Sequence, residues 1–175
     1  QYSTIRTGAR AKDYWSCLQW IEDAGIIRRC YNLQMPELPL AGNAIDNVFK
    51  VYMADTGLFV SMLEDGTQAD ILQGDLLGYK GAIFENLLAD FLGKMQRPLY
   101  YYHKEGGLEI DFVMRYKGEC TLLECKATTG HAKSLRTILS NPDKYHIYQA
   151  IKVGSYNIGR SDGILNIPHY LAFCL

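Results

Sequence analysis

The chain has 175 residues, 48% hydrophobic and 21% charged, which fits a globular protein able to bury a core without disulfide staples. Its formal net charge of -1 excludes a general polyanion-binding surface, so any nucleic-acid contact must come from a local basic cluster. Five cysteines with no CxxC pair exclude a disulfide framework and a zinc knuckle; Cys17, Cys30, Cys120, Cys125 and Cys174 read as small core residues in a reducing cytoplasm.

No apolar run reaches the roughly 18 residues of a membrane span, so no membrane partner is expected. No secretory signal opens the chain. The first residue is Gln1, which predicts a piece of a longer polypeptide.

In chain order, Ala11 to Ala24 predicts a helix, with Tyr14, Trp15, Leu18 and Ile21 at steps of three and four and Gly25 as its C-cap. Ile26 to Leu33 favours a strand. Helix, glycine and strand in that order is how a winged helix-turn-helix ends, so residues 1–46 are expected to hold a partial winged helix and its connector. Arg6, Arg10, Lys12, Arg28 and Arg29 could serve it as DNA contacts, or be ordinary solvated charges. Residues 33–47, whose Leu33 to Asn43 stretch carries two prolines, a glycine and an asparagine, keep neither period and read as the connector.

Residues 47–175 then form the second unit. Val48 to Met53 predicts a short strand, and Asp55-Thr-Gly-Leu-Phe a turn into a helix. Residues 64–79 read as loop or short helix, and Lys80 to Met95 as a helix. Leu99 to Tyr102 and Leu108 to Tyr116 predict strands joined at Gly106-Gly107, followed by a strand from Glu119 to Ala127. Lys133 to Leu139 predicts a helix, Tyr145 to Val153 a strand, and Ile164 to Phe173 a last strand around Pro168. The class is α/β.

Chemistry concentrates on two of these strands. Alternation puts Ile110, Phe112 and Met114 on one face, and Glu109, Asp111 and Val113 on the other. A two-residue hairpin on Lys117-Gly118 makes opposed residue numbers sum to 235, which sets Asp111 across from Glu124 and Glu109 across from Lys126; a three-residue loop shifts the pairing by one. Two opposed carboxylates repel, and a divalent cation removes the conflict. Mg²⁺ or Mn²⁺ takes oxygen ligands, here Asp111, Glu124 and the backbone carbonyl of Cys125, with Lys126 placed to orient a water or meet phosphate charge. Glu85 falls at the rim of the apolar stripe Phe84, Leu87, Leu88, Phe91 and Leu92 and can reach the same centre. The bland alternative is an edge Asp111 and a Glu124–Lys126 ion pair. Lys133 and Arg136 on the following helix are weak candidates for phosphate contacts. The four histidines carry no ligand spacing and are assigned no role, and Tyr100-Tyr101-Tyr102 are explained by strand propensity before base stacking.

Glu85, Ile110-Asp111-Phe112-Val113 and Leu123-Glu124-Cys125-Lys126-Ala127 resemble the PD-(D/E)XK, or restriction-endonuclease-like, nucleases. Trp20-Ile-Glu-Asp-Ala-Gly-Ile-Ile, Phe49-Lys-Val-Tyr-Met-Ala-Asp-Thr-Gly-Leu-Phe and Gly81-Ala-Ile-Phe-Glu-Asn extend a resemblance to the C-terminal region of prokaryotic AAA+-type ATPases, a region of unknown function. The resemblance implies a restriction-endonuclease-like mixed sheet flanked by helices, Mg²⁺-dependent cleavage of DNA, and an ATPase module upstream in the same polypeptide. It implies equally a module that has lost catalysis and binds DNA or protein. The motif's proline is Ile110 here, and its further polar helper has only Gln149 and Tyr145 as weak candidates. No GxxxxGK[ST] is present, so no ATP site is expected in this stretch.

Overall fold

The computed structural model describes residues 11–75 and 77–175; Arg6 and Arg10 lie outside them. Helix α1 (Ala11–Asp23) ends at Gly25, whose φ of 72° lets the Ile26 N–H turn back to the Ile21 carbonyl at 3.1 Å. Strand β1 (Ile27–Leu33) follows. Arg29 on β1 is packed inside the protein rather than presented to solvent. Its side chain is only 4% exposed, is bound by Glu22 and Gln19 of α1, and lies 4.7 Å over the Trp15 ring. It fastens α1 to the sheet.

The expected connector is half strand. After a 3₁₀ turn at Leu40–Asn43, β2 runs from Ala44 to Met53 and pairs back on β1, Leu33 against Ala44. The ladder skips between Tyr31 and Asn32, so the polar stretch before Val48 is carried as an irregularity that breaks the alternation. Helices α2 (Thr56–Ser61), α3 (Thr67–Leu72) and α4 (Lys80–Lys94) come next, Asp55 capping α2 through the Leu58 N–H at 2.8 Å.

Strands β3 (Leu99–Lys104), β4 (Leu108–Tyr116) and β5 (Glu119–Cys125) form the meander, with α5 (Lys133–Leu139) and α6 (Pro142–Tyr145) after it. Strands β6 (Ala150–Gly154), β7 (Gly159–Ser161) and β8 (Ile164–Pro168) precede a 3₁₀ segment at His169–Cys174. Among the described residues these make one mixed sheet of eight strands in the order β2-β1-β3-β4-β5-β6-β8-β7. It therefore continues through residue 46. Two expected strands are shortened. Pro142 opens α6, so β6 begins only at Ala150; β8 stops at Pro168, which has no N–H to offer a further ladder bond.

The hairpin turn is as read, but its ladder ends at Phe112–Leu123, so the expected opposition of Asp111 and Glu124 is not formed. Tyr116 pairs with Glu119 and Phe112 with Leu123, each pair summing to 235, and Lys117 and Gly118 take the positive φ values of 51° and 90° that a tight two-residue hairpin turn needs. The expected face assignment fails on the other edge of β4. Tyr100 pairs with Val113 but Tyr102 with Ile110, so Asp111 and Phe112 together oppose Tyr101 as a β-bulge. Ile110 consequently joins Val113 and Leu122 in the core under α5, while Phe112 and Met114 join Leu123 in the core under α4. On α4, Leu88 and Leu92 enter the core as expected, but Phe84, Leu87 and Phe91 are only half buried. The helix is rolled toward Asn86 and Asp90, which bind the Met53 backbone and Thr56 at the β2–α2 corner.

Candidate functional site

The bulge decides where Asp111 goes. Its carboxylate accepts the Cys125 N–H at 2.8 Å, at the point where the β4–β5 ladder ends. Burial first, then the negative charges of Glu85 and Glu124, push Asp111 from its ordinary 3.8 up to about 7, although the Cys125 N–H and Lys50 pull the other way. Glu85 is supplied by α4, half buried, and is bound by the Tyr52 hydroxyl and by Lys50 Nζ at 3.2 Å.

Lys50 and Tyr52, which sequence reading did not single out, alternate to the same face of β2. Lys50 also pairs with Glu109 at 2.7 Å and lies 5.0 Å over the Tyr101 ring. Burial alone would lower its pKa, but Glu85 and Glu109 hold it above the usual lysine range; Lys50 in turn holds Glu109 below the usual carboxylate range. The expected opposition of Glu109 and Lys126 is therefore replaced: Glu109 faces His103 across β3 and pairs with Lys50, because Lys126 lies beyond the end of β5.

Glu124 and Lys126 form the second half of the site. Their side chains meet at 2.5 Å, and the Glu124 side chain is only 8% exposed. Its other oxygen, Oε2, is buried with no hydrogen-bond partner. Strand alternation keeps Glu124 with Leu122, whereas Leu123 and Cys125 pack toward α4, so the Asp111 group and the Glu124–Lys126 pair adjoin across the Cys125 backbone. Lys126 is anchored by its own backbone: its N–H bonds Val153 O at 2.8 Å, and His169 Nε2 sits 2.8 Å from its carbonyl. The His169 ring stacks on Phe84 of α4 at 4.0 Å, and burial lowers its pKa. No spacing in the sequence betrays His169, because its partner is a backbone atom forty-three positions away.

Among the described residues, no group of three or more His, Cys, Asp and Glu side chains is arranged to hold a metal ion. A Mg²⁺ ion bound through one or two carboxylates and water needs no such trio. Asp111, buried beside Glu85 and Glu124, and Glu124, with an orphaned buried oxygen, are the side chains that could donate to it. Lys133 and Arg136 stand exposed on α5, and neither forms an ion pair with the site carboxylates. Gln149 donates to Thr121 at 3.0 Å and Tyr145 packs on Tyr102, so neither weak helper reaches the carboxylates. Tyr101 and Tyr102 are buried in the sheet, which leaves no run of stacking tyrosines on β3.

The family model described as Domain of unknown function (DUF4143) matches residues 80–170, just over half of the chain. The chain belongs to the DUF4143 family. The DUF4143 region runs from the start of α4 into the 3₁₀ segment and so contains Glu85, Asp111, Glu124, Lys126 and His169. Lys50 and Tyr52 fall outside it, in residues 1–69, which match a second Domain of unknown function (DUF8612). No curated protein and no solved structure matches the chain. Among the described residues no helix is long and apolar enough to cross a membrane.

Proposed function

We propose that this chain is a metal-dependent phosphodiesterase domain acting on DNA, with a restriction-endonuclease-like sheet and a winged-helix remnant, and that it forms the cytoplasmic C-terminal part of an AAA+-type ATPase. The observation that carries the catalytic reading is the orphaned, buried Glu124 Oε2 beside Lys126, one strand from an Asp111 whose pKa is raised by burial and by neighbouring carboxylates. Such an arrangement is electrostatically unfavourable on its own and is relieved by a cation.

Asp111 and Glu124, with the Cys125 carbonyl, would hold Mg²⁺ or Mn²⁺, which when bound lowers the pKa of a ligated water and offsets charge on the phosphate. Asp111 must give up its proton to ligate. Lys126, whose backbone is fixed through Val153 and His169, would be the donor to the water or the phosphate. Glu85 adds negative potential from α4, and Lys50 balances it.

A second reading has its own support. Lys50 already pairs with both Glu85 and Glu109, and Lys126 with Glu124, as in a non-catalytic module that binds DNA or protein and regulates an attached ATPase. Incubating the chain with single-stranded, duplex and branched DNA in Mg²⁺ or Mn²⁺, beside Asp111→Ala and Lys126→Ala, separates the two. Cleavage lost in both variants supports the phosphodiesterase. Cleavage surviving both rejects the site, and no cleavage with no metal binding favours the regulatory module.

A further inference from the structure

We propose that the cleft at the carboxyl ends of β5, β6 and β8 binds one unpaired nucleotide of a DNA strand beside Lys126. The substrate class rests on the phosphodiesterase reading; the cleft itself rests on separate residues. The three strands run parallel and in register, Cys125 beside Val153 and Val153 beside Ile167. Their continuations, Lys126, Ser155 to Asn157 and His169 to Tyr170, therefore leave the sheet on one rim. Ligands of open sheets bind outside the carboxyl ends of parallel strands, where the loops diverge. Here the loops border an open cleft of about 370 Å³ between Ser155, Tyr156, Asn157, His169 and Tyr170, within the range of about 300–1,000 Å³ of small-ligand clefts.

The lining suits a flat ring that carries a negative group. Tyr156 is a fixed wall: its hydroxyl accepts the Gly130 N–H at 2.7 Å, and Lys152 Nζ lies 4.4 Å over its ring. Gly154 leaves room for that ring, since a Cβ there would fall 2.4 Å from Tyr156 Cε2. Tyr170, 71% exposed, presents an aromatic face that stacks on no other ring among the described residues. Ser155 and Asn157 are exposed and offer donors and acceptors to a base edge. The Lys126 carbonyl is tied to the cleft through His169, while its ammonium pairs with Glu124, and Lys80 adds a second positive charge beside that histidine. A base stacked on tyrosine with its phosphate toward lysine satisfies all of these groups. A base inside a duplex is already stacked and cannot enter without being flipped out.

The test uses the full chain in EDTA, where no cleavage occurs. Fluorescence anisotropy follows binding of a labelled oligothymidylate and, separately, of a duplex of the same length. The single strand is expected to bind more tightly. Tyr170→Ala should weaken it about tenfold and Tyr170→Phe should retain it, because stacking needs the ring and not the hydroxyl. Unchanged affinity in Tyr170→Ala, equal loss in Tyr170→Phe, a preference for duplex, or no binding of either DNA each overturns the cleft. None of these results bears on whether Asp111→Ala abolishes cleavage, so the two readings fail separately.

Discussion

Replacing Asp111 by asparagine removes the most strained charge in the site and keeps an acceptor for the Cys125 N–H. The wild-type carboxyl titrates near 7 when folded and near 3.8 when unfolded. A raised folded pKa means that between those values the unfolded chain has shed a proton the folded chain still holds. Stability is then full below about pH 4, falls as pH rises, and stops falling above about pH 7. Three units at about 1.36 kcal/mol each set the whole effect at about 4 kcal/mol at most, of which the two units from about pH 5 to 7 carry about 3 kcal/mol. Urea unfolding of wild type and Asp111→Asn in EDTA, at about pH 5 and about pH 8, measures it, because the difference between the two proteins cancels the titrating groups that do not interact with Asp111. The variant should gain about 3 kcal/mol on the wild type between those conditions. A difference that stays constant, or that shrinks as pH rises, refutes a buried Asp111 under the influence of Glu85 and Glu124.

Other substitutions probe the surrounding structure. Lys126→Ala leaves the buried Glu124 carboxylate without its cation and should cost about 1–3 kcal/mol by urea unfolding in EDTA, with added Mn²⁺ restoring part of the loss. Asn86→Ala strands the Met53 N–H and carbonyl at the β2–α2 corner and should cost about 2–3 kcal/mol by the same measurement. Gly118→Val forces a β-branched residue to a φ of 90° in the β4–β5 turn and should lower stability by about 1–3 kcal/mol. Lys50→Met removes the cation that balances Glu85 and Glu109; calorimetry should show tighter Mn²⁺ binding than wild type, and weaker binding would count against electrostatic competition at the site.

The local signals that were legible are those written in one element. The Lys117-Gly118 turn set the β4–β5 register because both residues adopt positive φ, and the Lys80–Lys94 helix followed from its own apolar spacing. What escaped depends on other elements. The bulge at Asp111–Phe112 exists because β4 must match β3 on one edge and β5 on the other, and a period-two reading of β4 alone cannot register it. The roll of α4 toward Asn86 and Asp90 is set by backbone groups of the β2–α2 corner. Lys50 and Tyr52 reach Glu85 across more than thirty positions of chain, and His169 finds Lys126 through a carbonyl, a group every residue possesses. Glu124–Lys126 was readable as a pair from its spacing, but the burial that orphans one Glu124 oxygen comes from the sheet packed around it.

Titration of the chain with Mn²⁺, followed by electron paramagnetic resonance of the free ion at neutral pH, addresses the carboxylate site without any assumption about substrate. Saturable binding that disappears in both Asp111→Asn and Glu124→Gln is the expected result. Binding that persists in both variants, or a wild-type chain that leaves the ion free, would contradict the account.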